Sequence, residues 1–198
     1  PHIISCGCSH RKVMALRQRL VPMASGEVLE VGMGSGLNLR YYDPQRVRRV
    51  WGLEPSSGMR RRAGANLQQS PVAVEWLDLP GEQIPLADDS VDTVLLTFTL
   101  CTIADWQSAM AGIRRVLRAD GQLLFCEHGL APDVSVQRWQ QRLNPGWGAL
   151  FGGCHLNRPV LANIEASGFQ VVWHESDYMR HVPGFAGYIS LGMARPLS

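Results

Sequence analysis

The stretch Glu27-Val-Leu-Glu-Val-Gly-Met-Gly-Ser-Gly36 decides the fold of this chain, because an apolar strand-like run leads directly into three glycines at alternate positions. Glycine lets the backbone approach a ligand where any Cβ atom would clash. Further along, Glu54 ends a second apolar run, and an acid there suits hydrogen bonding to the two hydroxyls of a ribose. The combination predicts a nucleoside cofactor, while the glycines alone would also fit a tight strand-to-helix turn without a ligand.

The spacing of the glycines indicates which nucleoside is bound. A dinucleotide-binding turn has the pattern G-x-G-x-x-G and aims a helix N-terminus at a pyrophosphate. Here the third glycine comes one residue early, and Glu30 lies two residues before Gly32. A carboxylate repels pyrophosphate and attracts positive charge. The pattern therefore favours a cationic ligand such as S-adenosylmethionine (SAM), whose sulfonium and ammonium groups are positive.

The composition indicates one well-buried domain. The chain has 198 residues, 45% of them hydrophobic, and a formal net charge of +2. Such a balanced charge argues against a general nucleic-acid binder, and we expect the basic run at residues 60–62 to be a solvated helix face. We expect a single domain over residues 1–198, in which residues 1–25 form an N-terminal helical cap.

The cysteines and the apolar stretches indicate the expected cellular location of the protein. The five cysteines are odd in number and scattered, which is typical of reduced thiols in a cytosol. The longest apolar stretch, residues 94–104, is too short to cross a bilayer. The expected location is cytoplasmic, with peripheral membrane contact left open. Because the chain begins at Pro1 rather than methionine, a preceding segment that carries an anchor is left open as well.

Strand-like runs alternate with helical patterns, as in a parallel sheet with crossover helices. The expected strands cover residues 27–31, 50–53, 72–77, 91–97 and 122–127. Two further runs, residues 168–178 and 188–194, flank a Pro183-Gly184 turn region, so we expect the last strand to return antiparallel.

Capping residues predict the helices between these strands. Ser56 and Ser57 can cap a helix that runs to about residue 69, and Asp105 one that runs to about residue 118 and is closed by a turn at Asp120-Gly121. Residues 143–158 have an irregular pattern, and a short helix is expected over residues 159–166. The N-terminal helix is expected over residues 9–20, with an apolar face that covers the cofactor pocket or meets a membrane surface: Val13, Met14, Leu16 and Leu20.

From residue 27 onward the chain resembles the class I SAM-dependent methyltransferases. Residues 30–36 are similar to the first motif of that family, Gly52-Leu-Glu-Pro55 to its ribose-binding segment, and residues 92–103 to its fourth strand. Phe125-Cys-Glu-His-Gly129 and residues 152–158 resemble the methyltransferase-like seven branch, the alkyl thiol methyltransferases, which has a second cysteine where this chain has His155. The resemblance implies an α/β, Rossmann-like, doubly wound and mostly parallel seven-stranded sheet with a C-terminal antiparallel hairpin.

The resemblance also implies the residues that bind SAM. Glu30 lies near the amino group and Glu54 holds the ribose. Thr97, Phe98 and Cys101 line the methionine end, although plain core packing is the alternative for Phe98 and Cys101. The adenine-binding acid of the family aligns with Pro80, which leaves the Gly81 backbone and either Asp78 or Glu82 as candidates or as ordinary loop residues. The implied cofactor-binding set is Glu30, Gly32, Gly34, Gly36, Asn38, Glu54, Pro55, Gly81, Glu82, Thr97 and Phe98.

Methyl transfer from a sulfonium needs mainly an aligned nucleophile and exclusion of water. A thiol acceptor is mostly protonated near neutral pH, so a neighbouring imidazole would raise the reactive fraction. His128 follows the fifth strand at the carboxyl edge of the sheet, and His155 lies in the glycine-rich stretch that can fold over this edge. We interpret both as candidate catalytic residues, with hydrogen-bonded loop histidines as the alternative. Glu127 alternates with His128 and is expected to orient the site.

The segment Cys6-Gly-Cys-Ser-His10, with Cys154-His155 as a distant complement, has the residue types of a metal site. It lacks the C-x2–4-C spacing of structural zinc, so no metal is expected.

The favoured function is methyl transfer from SAM to a small, apolar acceptor, with sulfur as the preferred nucleophile. An amine phospholipid such as phosphatidylethanolamine is the alternative acceptor, suggested by Trp139, Trp147 and Phe151. A SAM-binding module without turnover is a further alternative. The expected partner is thus a small molecule, not nucleic acid, and the oligomeric state is left open.

Overall fold

The order of the strands determines which loops meet at the site. The computed structural model describes residues 11–197. The strands are β1 (Gly26–Val31), β2 (Val47–Leu53), β3 (Ala73–Leu77), β4 (Val91–Thr97), β5 (Leu117–His128), β6 (Phe169–Tyr178) and β7 (Tyr188–Pro196). They form one sheet in the order β3-β2-β1-β4-β5-β7-β6. Strands β1 to β5 pair in parallel, while β7 is antiparallel to both β5 and β6, so the predicted fold class is confirmed.

The helices lie between these strands and before β1. They are α1 (Arg11–Leu20), α2 (Ser57–Arg62), α3 (Gly64–Gln68), α4 (Trp106–Val116), α5 (Val134–Leu150), α6 (Val160–Ala166) and α7 (Gly184–Gly187). Both predicted caps form, because the Ser56 hydroxyl and the Asp105 carboxylate accept backbone N–H groups of the first turns of α2 and α4. Within residues 11–197, none of the helices has the length and apolar character needed to span a bilayer.

The sheet is buried on both faces, which is why its central strands are almost continuously apolar. In β4, Val94 and Leu96 pack on the side of α4, whereas Leu95 packs on the opposite side, where α1 contributes Leu20. All four side chains are fully buried. This double layer fixes the carboxyl ends of β1 and β4 side by side.

The helix predicted over residues 57–69 is divided at Ala63 into α2 and α3. Gly64 follows the break, and glycine is a poor helix former. The predicted start and approximate end are therefore right, and the prediction of one continuous helix is wrong.

The segment around Asp120-Gly121 also differs from the prediction. Helix α4 ends at Val116, and the chain enters β5 directly, so Asp120 and Gly121 lie within the strand. The pairing of β5 with β4 changes register there, which makes these residues a bulge rather than a helix-closing turn. A Cβ atom on Gly121 would lie 2.7 Å from Leu117 Cδ1 and 3.0 Å from the Asp92 carbonyl oxygen, so only glycine fits the bulge.

The irregular structure predicted for residues 143–158 is wrong in its first half, because α5 continues through Pro145. Proline removes one N–H group from a helix interior. Tertiary contacts hold this helix in place. The Gln140 side chain, 1% exposed, hydrogen-bonds the backbone of the loop before α5, and Trp147 packs edge-on against Phe185 of α7 with ring centroids 5.9 Å apart.

Candidate functional site

A cavity of about 390 Å³ lies at the carboxyl ends of β1 and β4. The chain turns from β1 to β2 on one side of this point, and β4 continues the sheet on the other. Open α/β sheets bind their ligands at such a reversal of strand order. Five of the predicted cofactor residues lie in the cavity wall: Gly32, Gly34, Glu54, Thr97 and Phe98.

The glycine-rich loop after β1 has the backbone conformation that its sequence predicts. Gly32, Gly34 and Gly36 all have positive φ angles, of 67°, 59° and 73°. A Cβ atom on Gly32 would lie 2.3 Å from Thr99 Cγ2, so this glycine lets the loops after β1 and β4 touch. Gly36 lies behind the wall, where its own Cβ position is 3.0 Å from Leu39 Cδ1.

Glu54 closes one end of the cavity. Its Oε2 accepts the Gly34 N–H and its Oε1 accepts the Ser56 N–H, both at 2.9 Å. The residue is 8% exposed. Because each carboxylate oxygen has two lone pairs, each retains one for a ligand hydroxyl. The arrangement fits the two neighbouring hydroxyls of a ribose.

Arg17 lies at the methionine end of the same wall. Its Nη1 donates to Asn38 Oδ1 at 2.7 Å and to Thr97 Oγ1 at 2.8 Å, and the guanidinium lies 5.6 Å from the centroid of the Phe98 ring. Within residues 11–197, the buried Nε atom has no hydrogen-bond partner. A buried donor without a partner typically costs about 1–3 kcal/mol. Because Arg17 also lines the cavity, its positive charge fits an anionic ligand group such as the carboxylate of SAM.

Arg17 was not predicted as a site residue, although its position in the helical pattern gives a signal for it. Arg17 shares one helical face with Val13 and Leu20, at the i, i+4, i+7 spacing of an amphipathic helix. All three residues are buried, so the predicted apolar face of α1 packs onto the protein. A single cation on such a face points to a buried anionic partner. The first two residues of the helix predicted over residues 9–20 lie outside the described part of the chain.

Glu30 and Asn38 lie behind the wall. Glu30 accepts hydrogen bonds from Asn38 Nδ2 at 2.9 Å and from the Tyr42 hydroxyl at 2.7 Å. Asn38 thus bridges Glu30 and Arg17. Burial is the largest influence on Glu30, and it outweighs the hydrogen bonds and Arg17, so the pKa of this carboxyl is raised to about 7. The predicted contact of Glu30 with the amino group of SAM stays a prediction.

The residues considered for adenine binding hold the neighbouring loops. Pro55 is exposed, and Glu82 Oε1 accepts the Asp105 N–H at 3.4 Å. A Cβ atom on Gly81 would lie 2.8 Å from Ile103 Cδ1, which shows close packing rather than an open surface. Asp78 pairs with the Arg60 guanidinium. The residue that contacts adenine therefore stays a prediction.

A second group of reactive side chains lies at the carboxyl end of β5. His128 Nε2 is 2.9 Å from Cys154 Sγ, and these two atoms and Cys101 Sγ all lie within 4.8 Å of one another. Hydrogen bonds from Cys101 and His128 lower the pKa of Cys154 well below its usual range. Burial alone would lower the pKa of His128, but the neighbouring Cys154 sulfur outweighs it and raises the pKa. Both directions favour a thiolate beside an imidazolium.

Glu127 connects this cluster to the cavity wall. Its Oε1 accepts the Thr99 N–H at 2.8 Å and the Leu100 N–H at 3.1 Å, so it orients the loop after β4. Thr99 itself lies in the wall. Burial raises the pKa of Glu127 to about 7 against the effect of the two backbone hydrogen bonds.

The two predicted catalytic histidines are near one another but differ in setting. The His155 backbone N–H donates to the Cys101 carbonyl at 2.9 Å, whereas its ring Nδ1 lies 3.3 Å from Asn144 Nδ2. The Nε2 atom of His128 is hydrogen-bonded to Cys154, so in this arrangement it cannot take a proton from the methyl-accepting substrate. Both catalytic roles stay predictions. The Cys6, Cys8 and His10 side chains lie outside the described residues.

Comparisons with known proteins give the class. A methyltransferase-domain family model matches residues 29–125. Human thiol S-methyltransferase TMT1B is 31% identical over 179 residues, covering 84% of this chain and 72% of the relative. Human thiol S-methyltransferase TMT1A is 31% identical over 153 residues, covering 75% of this chain and 62% of the relative.

Solved structures agree with the fold. YcgJ from Bacillus subtilis superposes with a TM-score of 0.73 at 15% identity, and the match covers 96% of this chain and 100% of YcgJ. A putative methyltransferase from Bacillus halodurans also has a TM-score of 0.73, at 16% identity, covering 94% of this chain and 100% of its own.

This chain belongs to the class I SAM-dependent methyltransferases. Among its relatives are the thiol S-methyltransferases TMT1A and TMT1B, of which it spans 62% and 72%. The predicted enzyme class and the predicted cofactor are therefore confirmed. When bound, SAM supplies a methyl group already activated by its sulfonium. Glu54 and Arg17 line the same cavity, and their contacts with the ribose and the carboxylate of SAM stay predictions.

Proposed function

We propose that the protein transfers the methyl group of SAM to the sulfur of a small, apolar thiol. The observation that carries the proposal is the match, over 84% of this chain, with a relative named thiol S-methyltransferase. A cluster beside the cavity supports the proposal, because it holds sulfur next to an imidazole. Its members are Cys101, His128 and Cys154.

The charges of the cavity wall favour a thiol over an amine. Among the described residues of the wall, Arg17 and Glu54 are the charged ones. Arg17 would repel an amine acceptor in the protonated form in which it arrives, and each oxygen of Glu54 already accepts a backbone N–H. A thiolate acceptor needs no carboxylate partner. The apolar wall residues Met33, Leu37 and Phe98 suit an acceptor with an apolar body.

The test is methyl transfer from labelled SAM to a matched panel of one carbon skeleton bearing a thiol, an amine or a phenol. Product masses identify the methylated atom. We expect the S-methyl product to exceed the N- and O-methyl products about ten-fold or more, which corresponds to a difference of about 1.4 kcal/mol in the barrier. Glu54→Ala at the same protein concentration is the control for dependence on bound SAM.

Vesicles that contain phosphatidylethanolamine form the second arm of the test. Phospholipid N-methylation faster than that of any thiol would contradict the proposal and favour the lipid amine. SAM binding without product on any acceptor would favour a binding module. The stacked pair of Trp147 and Phe151 lies on α5, where Trp139 is 57% exposed, so this helix is the surface that such vesicles would meet.

A further inference from the structure

Three side chains from distant parts of the sequence converge beside the cavity. Cys101 comes from the loop after β4, His128 from the end of β5, and Cys154 from the segment after α5. Cys101 is 3% and Cys154 9% exposed, so the group is shielded from bulk solvent. The donor set is two sulfurs and one imidazole nitrogen, which are the ligand types that zinc prefers.

We propose that Cys101, His128 and Cys154 bind one Zn²⁺ ion, and that the ion holds the sulfur of the acceptor thiol. The three ligand atoms lie within 4.8 Å of one another, and the His128 Nε2 to Cys154 Sγ distance is 2.9 Å. Tetrahedral zinc with sulfur and nitrogen ligands sets such atoms about 3.5–3.8 Å apart. The His128 to Cys154 distance is shorter than that range and the other two are at most 4.8 Å, so side-chain shifts of about 1 Å would admit the ion.

The surroundings balance the charge of such an ion. Two thiolates neutralise Zn²⁺, and the next charged groups are one acid and one base, Glu127 and Arg158, which both act electrostatically on the cluster. The Arg158 guanidinium also donates to the Leu100 carbonyl, which fixes its position in the loop after β4. The indole N–H of Trp147 is buried, makes no hydrogen bond of good geometry within residues 11–197, and lies near the Cys154 sulfur.

The three ligands lie just behind the cavity wall, next in sequence to residues that line it or hold it. Thr102, next to Cys101, lies in the cavity wall, and so does Gly152, two residues before Cys154. Glu127, next to His128, holds the backbone of the wall residue Thr99. Zinc with three protein ligands keeps a fourth position for water or substrate. The proposal requires this fourth position to face the cavity, from which the acceptor would enter.

The inference rests on the proposed function, because the fourth ligand is the acceptor. The acceptor thiol binds the ion as a thiolate and releases its proton to solvent. A sulfur lone pair then forms a bond to the methyl carbon of SAM while the bond from that carbon to the sulfonium sulfur breaks. The bonding electrons remain on the departing sulfur, so S-adenosylhomocysteine leaves neutral, and the thioether product dissociates because it is a weaker ligand than a thiolate.

Metal analysis of the full chain tests the site without reference to activity. The protein is stripped with a chelator, loaded with ZnCl2 and dialysed, and its zinc content is measured by mass spectrometry. We expect about one zinc per chain, with tetrahedral thiolate bands in the visible spectrum after Co²⁺ loading. Cys101→Ser and Cys154→Ser should each lower zinc retention roughly ten-fold or more, because losing a residue that merely orients a zinc ligand already lowers zinc affinity by about that factor.

A Cys6→Ser/Cys8→Ser double variant is the matched control, because it removes two thiols and should retain the zinc. SAM affinity measured by calorimetry on each variant verifies folding. Wild-type protein that retains no zinc, or Cys101→Ser and Cys154→Ser variants that retain it fully, would overturn the proposal.

Activity then separates the two proposals. Thiol methylation that is lost on chelation and restored by zinc supports the inference. Chelated protein that methylates thiols at the full rate overturns the zinc inference and leaves the proposed function standing. Zinc bound at this site in a protein that methylates only amines overturns the proposed function and the acceptor role of the ion.

Discussion

Replacing Glu30 by glutamine should remove a pH dependence from the stability of the protein. The carboxyl is 1% exposed, and burial raises its pKa from the usual 4.5 to about 7. Each pKa unit of difference between the folded and unfolded states corresponds to about 1.4 kcal/mol. The shift therefore corresponds to about 3 kcal/mol. Glutamine has nearly the same shape and cannot titrate, so it isolates this contribution.

The sign follows from proton binding. Below about pH 4.5, Glu30 is protonated in both states and contributes no pH dependence. Between about pH 4.5 and pH 7 the unfolded chain releases the proton while the folded protein keeps it, so stability falls as the pH rises. Above about pH 7 both states are ionised and the difference stays constant. The stability of wild type relative to Glu30→Gln should therefore fall by about 2–3 kcal/mol between pH 5 and pH 8.

Urea denaturation followed by tryptophan fluorescence measures this difference at several pH values. Other titrating groups contribute equally to both proteins and cancel. Glu165→Gln makes the same chemical change at an exposed position on α6 and serves as the control. A wild-type minus Glu30→Gln difference that changes by less than about 1 kcal/mol over this range would refute the argument from burial.

The remaining predictions concern SAM binding, measured by calorimetry. Arg17→Met should weaken SAM binding about ten-fold or more, whereas Arg17→Lys keeps the charge and should lose less affinity. An equal loss of affinity in both variants would contradict the carboxylate contact. Glu54→Ala should weaken SAM and its demethylated product alike, about ten-fold or more, and unchanged affinity would remove Glu54 from the site. Gly34→Val, β-branched at φ 59°, should abolish binding more fully than Gly34→Ala, and normal binding by the valine variant would show that the loop does not face SAM.

The parts of the fold that were predicted correctly depend on local chemistry. Alternating apolar runs and the three glycines are properties of neighbouring residues, and a positive φ at Gly34 follows from its position in a tight turn. The errors arose where tertiary contacts outweigh local preference. Pro145 is tolerated inside α5 because Gln140 and Trp147 of that helix contact the loop before it and Phe185 of α7, and Gly121 forms a bulge because β4 runs beside it.

The same distinction applies to the site. Gly32, Gly34 and Glu54 could be proposed from the sequence because they lie within one strand-turn-strand segment, and the structure brings them to the cavity wall. Arg17 was missed because its role depends on where α1 packs, which no local pattern states. For a similar reason, His128 was predicted as a site residue but its cluster with Cys101 and Cys154 was not. Its cysteine partners lack the short spacing by which metal sites are found in sequences.

Arg17 belongs both to α1 and to the cavity wall, and this couples a helix to a ligand. Helix α1 is also held by its buried residues Val13 and Leu20, and an exposed ion pair between Arg19 and Glu175 adds little. If the contact of Arg17 with SAM strengthens cofactor binding, then bound SAM stabilises the packed position of α1 by the same free energy, because linkage is reciprocal. We therefore expect the amide hydrogens of α1 to exchange more slowly as SAM saturates the protein. Exchange at this helix would then report how much of the protein holds the cofactor.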